Sequence, residues 1–165
     1  MQLEKAQEKF VSEWGRLSCN WGVNKAMGQI HAFLLISANA LTCDNIMETL
    51  EMSRGNVNMN VKNLIHWGLV KKGCRKGCRK DYYTAEKDLW KVFQLIISHR
   101  KRKELDPLLD LVKEMAFLEA NCEKSAEFCK VLKELEMFST KADNALKLLL
   151  KTESNWLTKP LSRMI

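Results

Sequence analysis

The sequence predicts a mainly α protein of the α+β class, with one small β-hairpin near the middle of an otherwise helical chain. Only two of the 165 residues are proline, and apolar residues recur every three or four positions over most of the length, as in amphipathic helices. Two short stretches, residues 69–72 and 81–85, alternate instead like strands. A hydrophobic content of 46% is enough to bury a core. We therefore expect helices on both sides of a central hairpin.

The N-terminal region, residues 1–37, is predicted to form two helices, at 3–18 and 25–37. Apolar side chains such as Phe10 and Trp14 recur at helical spacing in the first of them. Glycine and asparagine interrupt the pattern between the two. We expect these helices to contribute to the core and to a dimer interface.

The central region, residues 38–86, is predicted to be a winged helix-turn-helix domain. Thr42 can cap a helix over residues 43–50, and Ser53 can cap a second one that runs to about position 67. Gly68 supplies the left-handed conformation that often ends a helix. Two short helices, a tight turn between them and a following hairpin make up this domain, whose second helix enters the major groove of DNA.

The C-terminal region, residues 87–165, is predicted to be a helical dimerisation region. Pro107 can open a new helix as its first residue. From position 108 to position 136 the spacing alternates between three and four residues, which is typical of a coiled-coil seam. Thr140 and Asp143 resemble a capping box, which predicts the start of a last helix.

Positive charge is concentrated in the predicted hairpin. The chain carries a formal net charge of +7, and residues 71–80 contain six lysines and arginines and no acid. A basic cluster of this kind favours a polyanionic partner such as a nucleic acid.

The second short helix opens with side chains that suit the reading of DNA bases. Asparagine can bond the N6 and N7 atoms of adenine, and arginine can bond O6 and N7 of guanine. Hairpin cations can contact phosphates, which adds affinity and salt dependence but little sequence information. The predicted DNA-binding residues are Ser53, Arg54, Gly55, Asn56, Asn58, Asn60, Lys62 and Asn63 in the helix, and Arg75, Lys76, Arg79 and Lys80 in the hairpin. Either element alone is more often a solvated polar surface, but their order and spacing favour binding of double-stranded DNA.

Three stretches of the chain together resemble a known family. They are WGRLSCNWGVNKAMGQIHAFLLIS, LTCDNIMETLEMSRGNVNMNVKNLIHWGLVKK and RKDYYTAEKDLWKVFQLIISHRKRKELDPLLDL, within about residues 10–112. They resemble a MarR-type transcriptional regulator of the GbsR-like branch. The resemblance implies a homodimer on a pseudo-palindromic operator, a role as a transcriptional repressor, and an effector that tunes DNA affinity. It implies DNA contacts at Ser53, Arg54, Asn56, Asn58 and Asn60, and through the hairpin tip at 75–80.

Two cysteines in the hairpin allow a redox hypothesis. Cys74 and Cys78 lie among lysines and arginines, which favour the reactive thiolate. Their oxidation could distort the hairpin, but two incidental thiols are the favoured interpretation. The spacing does not suit zinc, and no metal site is predicted.

Tryptophans allow an effector hypothesis. Trp14, Trp21, Trp67 and Trp90 fall on different predicted elements, and aromatic faces can enclose a quaternary ammonium. The resemblance implies a choline-like effector. Ordinary core packing is the favoured alternative.

No catalytic motif or cofactor fingerprint occurs in the sequence, so we expect neither an enzyme nor a cofactor. The polar start of the sequence predicts no signal peptide, and no apolar run reaches membrane-spanning length. We expect a cytoplasmic protein with reduced thiols and no membrane partner. A helical protein-interaction adaptor remains the alternative to a DNA-binding regulator.

Overall fold

The computed structural model describes residues 2–74, 79–115 and 123–152, with the side chains of 123 and 124 left out. The chain divides into two compact units, Met1–Val92 and Phe93–Ile165. Each unit has its own packing. The mainly helical architecture with a small sheet confirms the fold class predicted from the sequence.

In its described residues, the first unit holds four helices and a three-stranded sheet before the fifth helix begins. These elements are α1 (Leu3–Asn20), α2 (Lys25–Ile36), β1 (Leu41–Thr42), α3 (Cys43–Leu50), α4 (Arg54–His66), β2 (Val70–Cys74) and β3 (Asp81–Ala85). The sheet is antiparallel in the order β1-β3-β2, with Leu41 opposite Tyr83 and Val70 opposite Ala85. The hairpin was predicted, whereas β1 was not, because two residues are too few to show an alternating pattern.

The core of this unit lies around α2. Ile30 and Leu34 of α2 are fully buried, and they share the core with Ile46 of α3 and Leu64 of α4. Burying each of these side chains stabilises the fold by about 1.5–3 kcal/mol. The core therefore fixes α3 and α4 against a common helix.

Local capping sets the bounds of α3 and α4. Thr42 and Asn45 form a capping box at the start of α3, and Ser53 Oγ accepts from the backbone N–H of Asn56 at the start of α4. Glu51 takes the left-handed conformation between the helices, with φ of 51°, and Gly68 does so after α4, with φ of 77°. The helix-turn-helix predicted from these caps is confirmed.

The second unit is a helical hairpin. Helix α5 (Leu89–Arg100) crosses the boundary between the units and continues through a π-helical turn (Lys101–Leu105) into α6 (Asp106–Met115). Pro107 does not open a separate helix. It lies in the first turn of α6, directly after the π turn, and a wider turn accommodates a proline that lacks an N–H and crowds the preceding carbonyl.

Helix α7 (Glu123–Lys151) returns alongside the preceding segments. Gln94 Nε2 donates to the carbonyls of Leu150 and Thr152, at 3.1 and 2.9 Å, while Lys101 Nζ lies 2.7 Å from Asp143 Oδ1. The earlier residue in the sequence, Gln94, thus contacts the end of α7, and the later one, Lys101, contacts an earlier part of it. The two segments therefore run antiparallel.

The sequence-based outline of this unit needs two corrections. Thr140 starts no helix, since it lies in the middle of α7. The seam predicted from 108 to 136 is divided between α6 and α7, and its positions at 116–122 lie outside the described residues. Across the part of the chain that the structure describes, no helix combines the length and apolar character needed to cross a membrane.

Candidate nucleic-acid interface

The first turn of α4 forms an open, hydrogen-bonding surface. Ser53 caps it, and Arg54 and Gly55 are exposed. A Cβ atom added at Gly55 would meet nothing within 4 Å, so the backbone here is open to a ligand. The uncompensated N–H groups at a helix start favour an anion such as phosphate.

The outward face of α4 carries most of the side chains predicted to bind DNA. Asn56 is half-buried. The exposed residues of the helix are Arg54, Gly55, Asn58, Met59, Lys62, Asn63 and His66. The DNA-binding roles of the predicted residues on this face stay a prediction, which their exposure permits.

Asn60 is the exception on this helix. It is fully buried, and its side chain bonds Asn24 and Asn56 inside the unit. A side chain in this position cannot reach a base edge, so the prediction that Asn60 contacts DNA is wrong. The prediction failed because a polar residue was assumed to face solvent, whereas this one is satisfied by Asn56 one turn earlier and by Asn24, which is 36 positions away.

Asp44 joins the start of α4 to the base of the hairpin. Its Oδ1 lies 2.7 Å from Arg54 Nη2, and its Oδ2 lies 2.9 Å from Lys80 Nζ. The hydrogen bond from Lys80 and the charge of that lysine, with help from Arg54, hold the pKa of Asp44 below its usual value. Sequence reasoning missed Asp44, because nothing local shows that it meets two of the predicted DNA-binding cations.

A cleft of about 300 Å³ lies between α3, α4 and the hairpin. Arg54, Arg79 and Lys80 give it cationic walls, and Cys43 and Tyr83 also line it. Cys43 Sγ donates to Asn58 Oδ1 at 3.0 Å. Burial, together with the neighbouring Cys43, raises the pKa of Tyr83 to about 12, so its hydroxyl stays protonated. The carboxylates of Asp44 and Asp81 line the same cleft, so cations and acids share its walls.

Acidic residues form ion pairs with lysines of the described part of the hairpin and of the helix that follows it. Lys72 Nζ lies 2.8 Å from Asp81 Oδ2 across the two strands, and Glu86 Oε2 lies 2.9 Å from Lys91 Nζ and 3.5 Å from Lys71 Nζ. Bonding to Lys91 lowers the pKa of Glu86 to about 2 despite partial burial. These ion pairs link the two strands to each other and to the start of α5.

The tip itself falls largely outside the described residues. Arg75, Lys76 and Cys78 lie there, so their predicted roles stay predictions. Arg79 and Lys80 are described and exposed. Cys74 is an exposed free thiol at the end of β2, and the redox hypothesis for it stays a prediction.

Two of the four tryptophans proposed for an effector site lie together, one on α1 and the other directly after its last residue. The ring of Trp14 is 5.8 Å from that of Trp21 in an edge-to-face arrangement, and 6.4 Å from that of His31. Trp67 ends α4, and Trp90 lies in the first turn of α5. The four-tryptophan cage stays a prediction. Among the described residues, no group of three or more potential metal ligands occurs.

Comparison with known proteins supports the resemblance drawn from the sequence, although no family model matches the chain. The HTH-type transcriptional repressor GbsR of Bacillus subtilis is 25% identical over 128 residues, which cover 78% of this chain and 68% of that protein. The putative HTH-type transcriptional regulator YvaV, from the same organism, is 25% identical over 143 residues and 80% of each chain. Its HTH-type transcriptional repressor OpcR is 23% identical over 91 residues, or 55% of this chain and 49% of that one.

A solved structure supports the fold. The crystal structure of a transcriptional regulator superimposes with a TM-score of 0.68, covering 88% of this chain and 95% of that one at 16% identity. Its likeness concerns the fold alone. By sequence and by fold together, the chain is a winged helix-turn-helix protein that resembles the GbsR-like HTH-type transcriptional regulators.

Proposed function

We propose that the chain is a sequence-specific DNA-binding transcriptional regulator, a repressor, that binds a pseudo-palindromic operator as a homodimer. One observation carries the proposal: the capped, exposed start of α4 and the cations at the hairpin base lie on one surface, joined by Asp44. The names of GbsR and OpcR as repressors support the sign of regulation. We further propose that the chain has no enzymatic activity and that it acts on DNA in the cytoplasm.

In this proposal α4 enters the major groove and the hairpin contacts the backbone. Arg54 and Asn58 lie in the first turns of α4, from which a recognition helix meets base edges. Arg79 and Lys80 are exposed at the hairpin base, where they can reach phosphates. The protein would then gain specificity from α4 and salt-dependent affinity from the hairpin.

Two exposed apolar stripes support a homodimer. Phe10 and Leu17 of α1, and Trp21 directly after its last residue, are each more than a third exposed and recur at helical spacing. On α7, the exposed residues Phe128, Val131, Leu135 and Phe138 recur at intervals of three, four and three. This spacing is that of a helix–helix seam, and water is a poor partner for it. A second copy offers the same stripes.

Selection of bound sequences from random duplex DNA tests the proposal. The expected result is a palindromic consensus, which fits two copies with two-fold symmetry.

Replacement of Arg79 and Lys80 by alanine should weaken binding to all sequences and reduce the salt dependence by about one unit of log–log slope per lost phosphate contact. The matched control removes the same charge from the exposed Lys130 and Lys133 of α7. Equal losses in both double variants, or no consensus, would contradict a DNA-binding surface at the hairpin.

We also propose that a choline-like effector tunes this activity. The paired rings of Trp14 and Trp21 support it, because aromatic faces attract quaternary ammonium groups. Choline at millimolar concentration should change the tryptophan fluorescence of the wild type and should do so much less after Trp21→Leu. An unchanged wild-type signal would count against the effector.

Oxidation of the hairpin is the second regulatory hypothesis, and the exposure of the Cys74 thiol supports it. Peroxide should weaken DNA binding of the wild type but not of Cys74→Ser. Identical binding with and without peroxide in both proteins would remove the hypothesis.

A further inference from the structure

Two unlike residues occupy the middle of the side of α4 that points away from the core. Val57, Val61 and Leu64 are buried, and they define the inner side of the helix. At 3.6 residues per turn, Gly55 and Met59 both lie within about 30° of the opposite direction. If α4 enters the major groove, this line of the helix faces the bases, whereas the flanking positions face the two phosphate backbones.

Met59 is an apolar side chain on an otherwise polar surface. Among the residues of α4, all of which the structure describes, it is the one large hydrophobic side chain that is exposed, at 55%. Isolated exposed apolar residues are common on protein surfaces, so the informative observation is the position of Met59 and not its exposure. It lies in the N-terminal half of α4, the part of a recognition helix that meets base edges.

Gly55 leaves an open space next to Met59. Residues four positions apart are neighbours on a helix surface, and side chains lean toward the N-terminus, so Met59 lies beside the position where residue 55 would carry a side chain. A Cβ atom added at Gly55 would nevertheless meet nothing within 4 Å. Met59 therefore borders this space without filling it. Since the added atom is itself a methyl carbon, the space can admit a methyl group from a ligand.

The major groove offers one methyl group for such a space. Its base edges carry hydrogen-bond donors and acceptors, and the exception among the four bases is the C5 methyl of thymine. A donor or acceptor that faces Met59 gives up water and gains at most a weak bond to the thioether. A methyl group in the same place loses no hydrogen bond and buries apolar surface. The side chain of Met59 thus distinguishes bases by a group that thymine alone carries.

We propose that Met59 selects thymine at one position of each half-site, by packing against the C5 methyl group in the open space beside Gly55. The inference rests on the proposed function. It adds an apolar specificity-determining residue to the hydrogen-bonding side chains Arg54 and Asn58. The glycine has a role of its own here, because any side chain at position 55 would occupy the space that the methyl group enters.

Removal of single methyl groups from the DNA tests the inference. Selection from random duplex DNA with the full-length protein supplies the consensus. Each thymine of the consensus is then replaced, one at a time, by uracil, which pairs identically and lacks only the methyl group. Fluorescence anisotropy measures the dissociation constant of each duplex. At one thymine of each half-site, uracil should weaken wild-type binding about fourfold, which corresponds to ~0.8 kcal/mol for one buried carbon.

Three variants assign this effect to its side chain. Met59→Ala should bind the thymine and uracil duplexes equally at that position, because the apolar partner of the methyl group is gone. Asn58→Ala, the matched control one residue away, should keep the fourfold difference. Both residues are exposed, so neither substitution removes packing from the core. Gly55→Ala fills the open space with a methyl group of the protein, so the preference for thymine over uracil should be lost or reversed.

Equal wild-type binding of uracil and thymine at every position would overturn the inference, as would a consensus without thymine. Differences that Met59→Ala retains at every thymine would also overturn it, and an unchanged difference in Gly55→Ala would overturn the placement of the methyl group beside Gly55. All of these results leave the proposed function standing. The absence of any wild-type consensus would overturn the proposed function and the inference together.

Discussion

Asp44 is an acid inside a cationic surface, and its position explains how the free protein holds Arg54 and Lys80 in place. Each of these side chains is more than half exposed, at 64% and 61%. Solvent-exposed ion pairs contribute little to stability, typically about 0–1 kcal/mol. We therefore expect Asp44 to affect DNA binding more than stability, because its carboxylate orients two cations and repels phosphate.

We predict that Asp44→Asn increases affinity for non-specific duplex DNA several-fold at low salt. One negative charge near the phosphates is removed and two cations are released, so the log–log salt dependence should steepen by about one unit. Fluorescence anisotropy over a salt series measures both effects. Asp110→Asn, at an exposed site on α6, is the control with the same charge change. Weaker non-specific binding by Asp44→Asn would show that orientation outweighs repulsion and would contradict the prediction.

His31 makes stability depend on pH. Burial, with a smaller contribution from the charge of Lys87, lowers its pKa to about 4 from 6.5. The unfolded chain therefore binds a proton on His31 below pH 6.5, whereas the folded chain does not until about pH 4. The stabilisation is present in full above pH 6.5 and is lost as the pH falls toward 4, by about 3 kcal/mol at most.

We expect His31→Phe to remove this component of the pH dependence. A ring of similar size keeps the packing beside Trp14 and does not titrate. Urea unfolding at pH 7.5 and pH 5 should show a smaller difference in the free energy of unfolding for the variant than for the wild type. The same loss in both proteins would mean that other groups cause it.

At the scale of elements, close contact between α1 and α2 builds the first unit. Gly15 and Gly28 lie where the two helices cross, and both are buried. A Cβ atom at Gly28 would lie 2.6 Å from Ser18 Cβ and 3.1 Å from Gly15 Cα. No rotation of a long side chain can relieve these contacts, so the helices would have to separate.

We predict that Gly28→Ala destabilises the protein by about 1–3 kcal/mol through this overpacking. Gly55→Ala is the matched control, since it lies in open space on another helix and should be neutral or stabilising by about 0.5–1 kcal/mol. Chemical denaturation of both variants decides the matter. A change of less than 0.5 kcal/mol for Gly28→Ala would mean that α1 and α2 adjust without strain.

The π turn before α6 shows how one element adapts to a single residue. Lys101, at the start of this turn, is largely buried and bonds both Asp106 and Asp143. These bonds raise the pKa of Lys101 and lower that of Asp143, so both stay charged near neutral pH. The ion pairs therefore hold the widened turn against α7, and Pro107 follows without breaking the helical path.

At the scale of the whole molecule, the apolar stripe on α7 predicts assembly. Phe138 is 68% exposed in the single chain, which is unusual for a large aromatic side chain unless a partner covers it. We expect Leu135→Glu with Phe138→Glu to convert a dimer to a monomer in sedimentation velocity and to abolish tight binding to a palindromic site. Lys130→Glu with Lys133→Glu places the same acidic side chains elsewhere on α7. A wild-type monomer, or a dimer unaffected by the stripe variants, would contradict this assembly.

The local sequence determined the elements of the winged domain and the general place of its surface. The caps Thr42 and Ser53 and the stop at Gly68 act on residues within a few positions, so α3 and α4 were predicted to within one residue at each end. The cluster of positive charge also required no knowledge of the fold, because charge is a property of composition.

The tertiary structure alone decided what those side chains can do. Asn24 and Asn60 are 36 positions apart, as are Asp44 and Lys80, and no local pattern indicates that either pair meets. The burial of Asn60, the pairing of the interface cations and the return of α7 all arise from such distant contacts. Helical caps depend on neighbours along the chain. Burial and long-range hydrogen bonds depend instead on neighbours in space, and those neighbours are brought together only by folding.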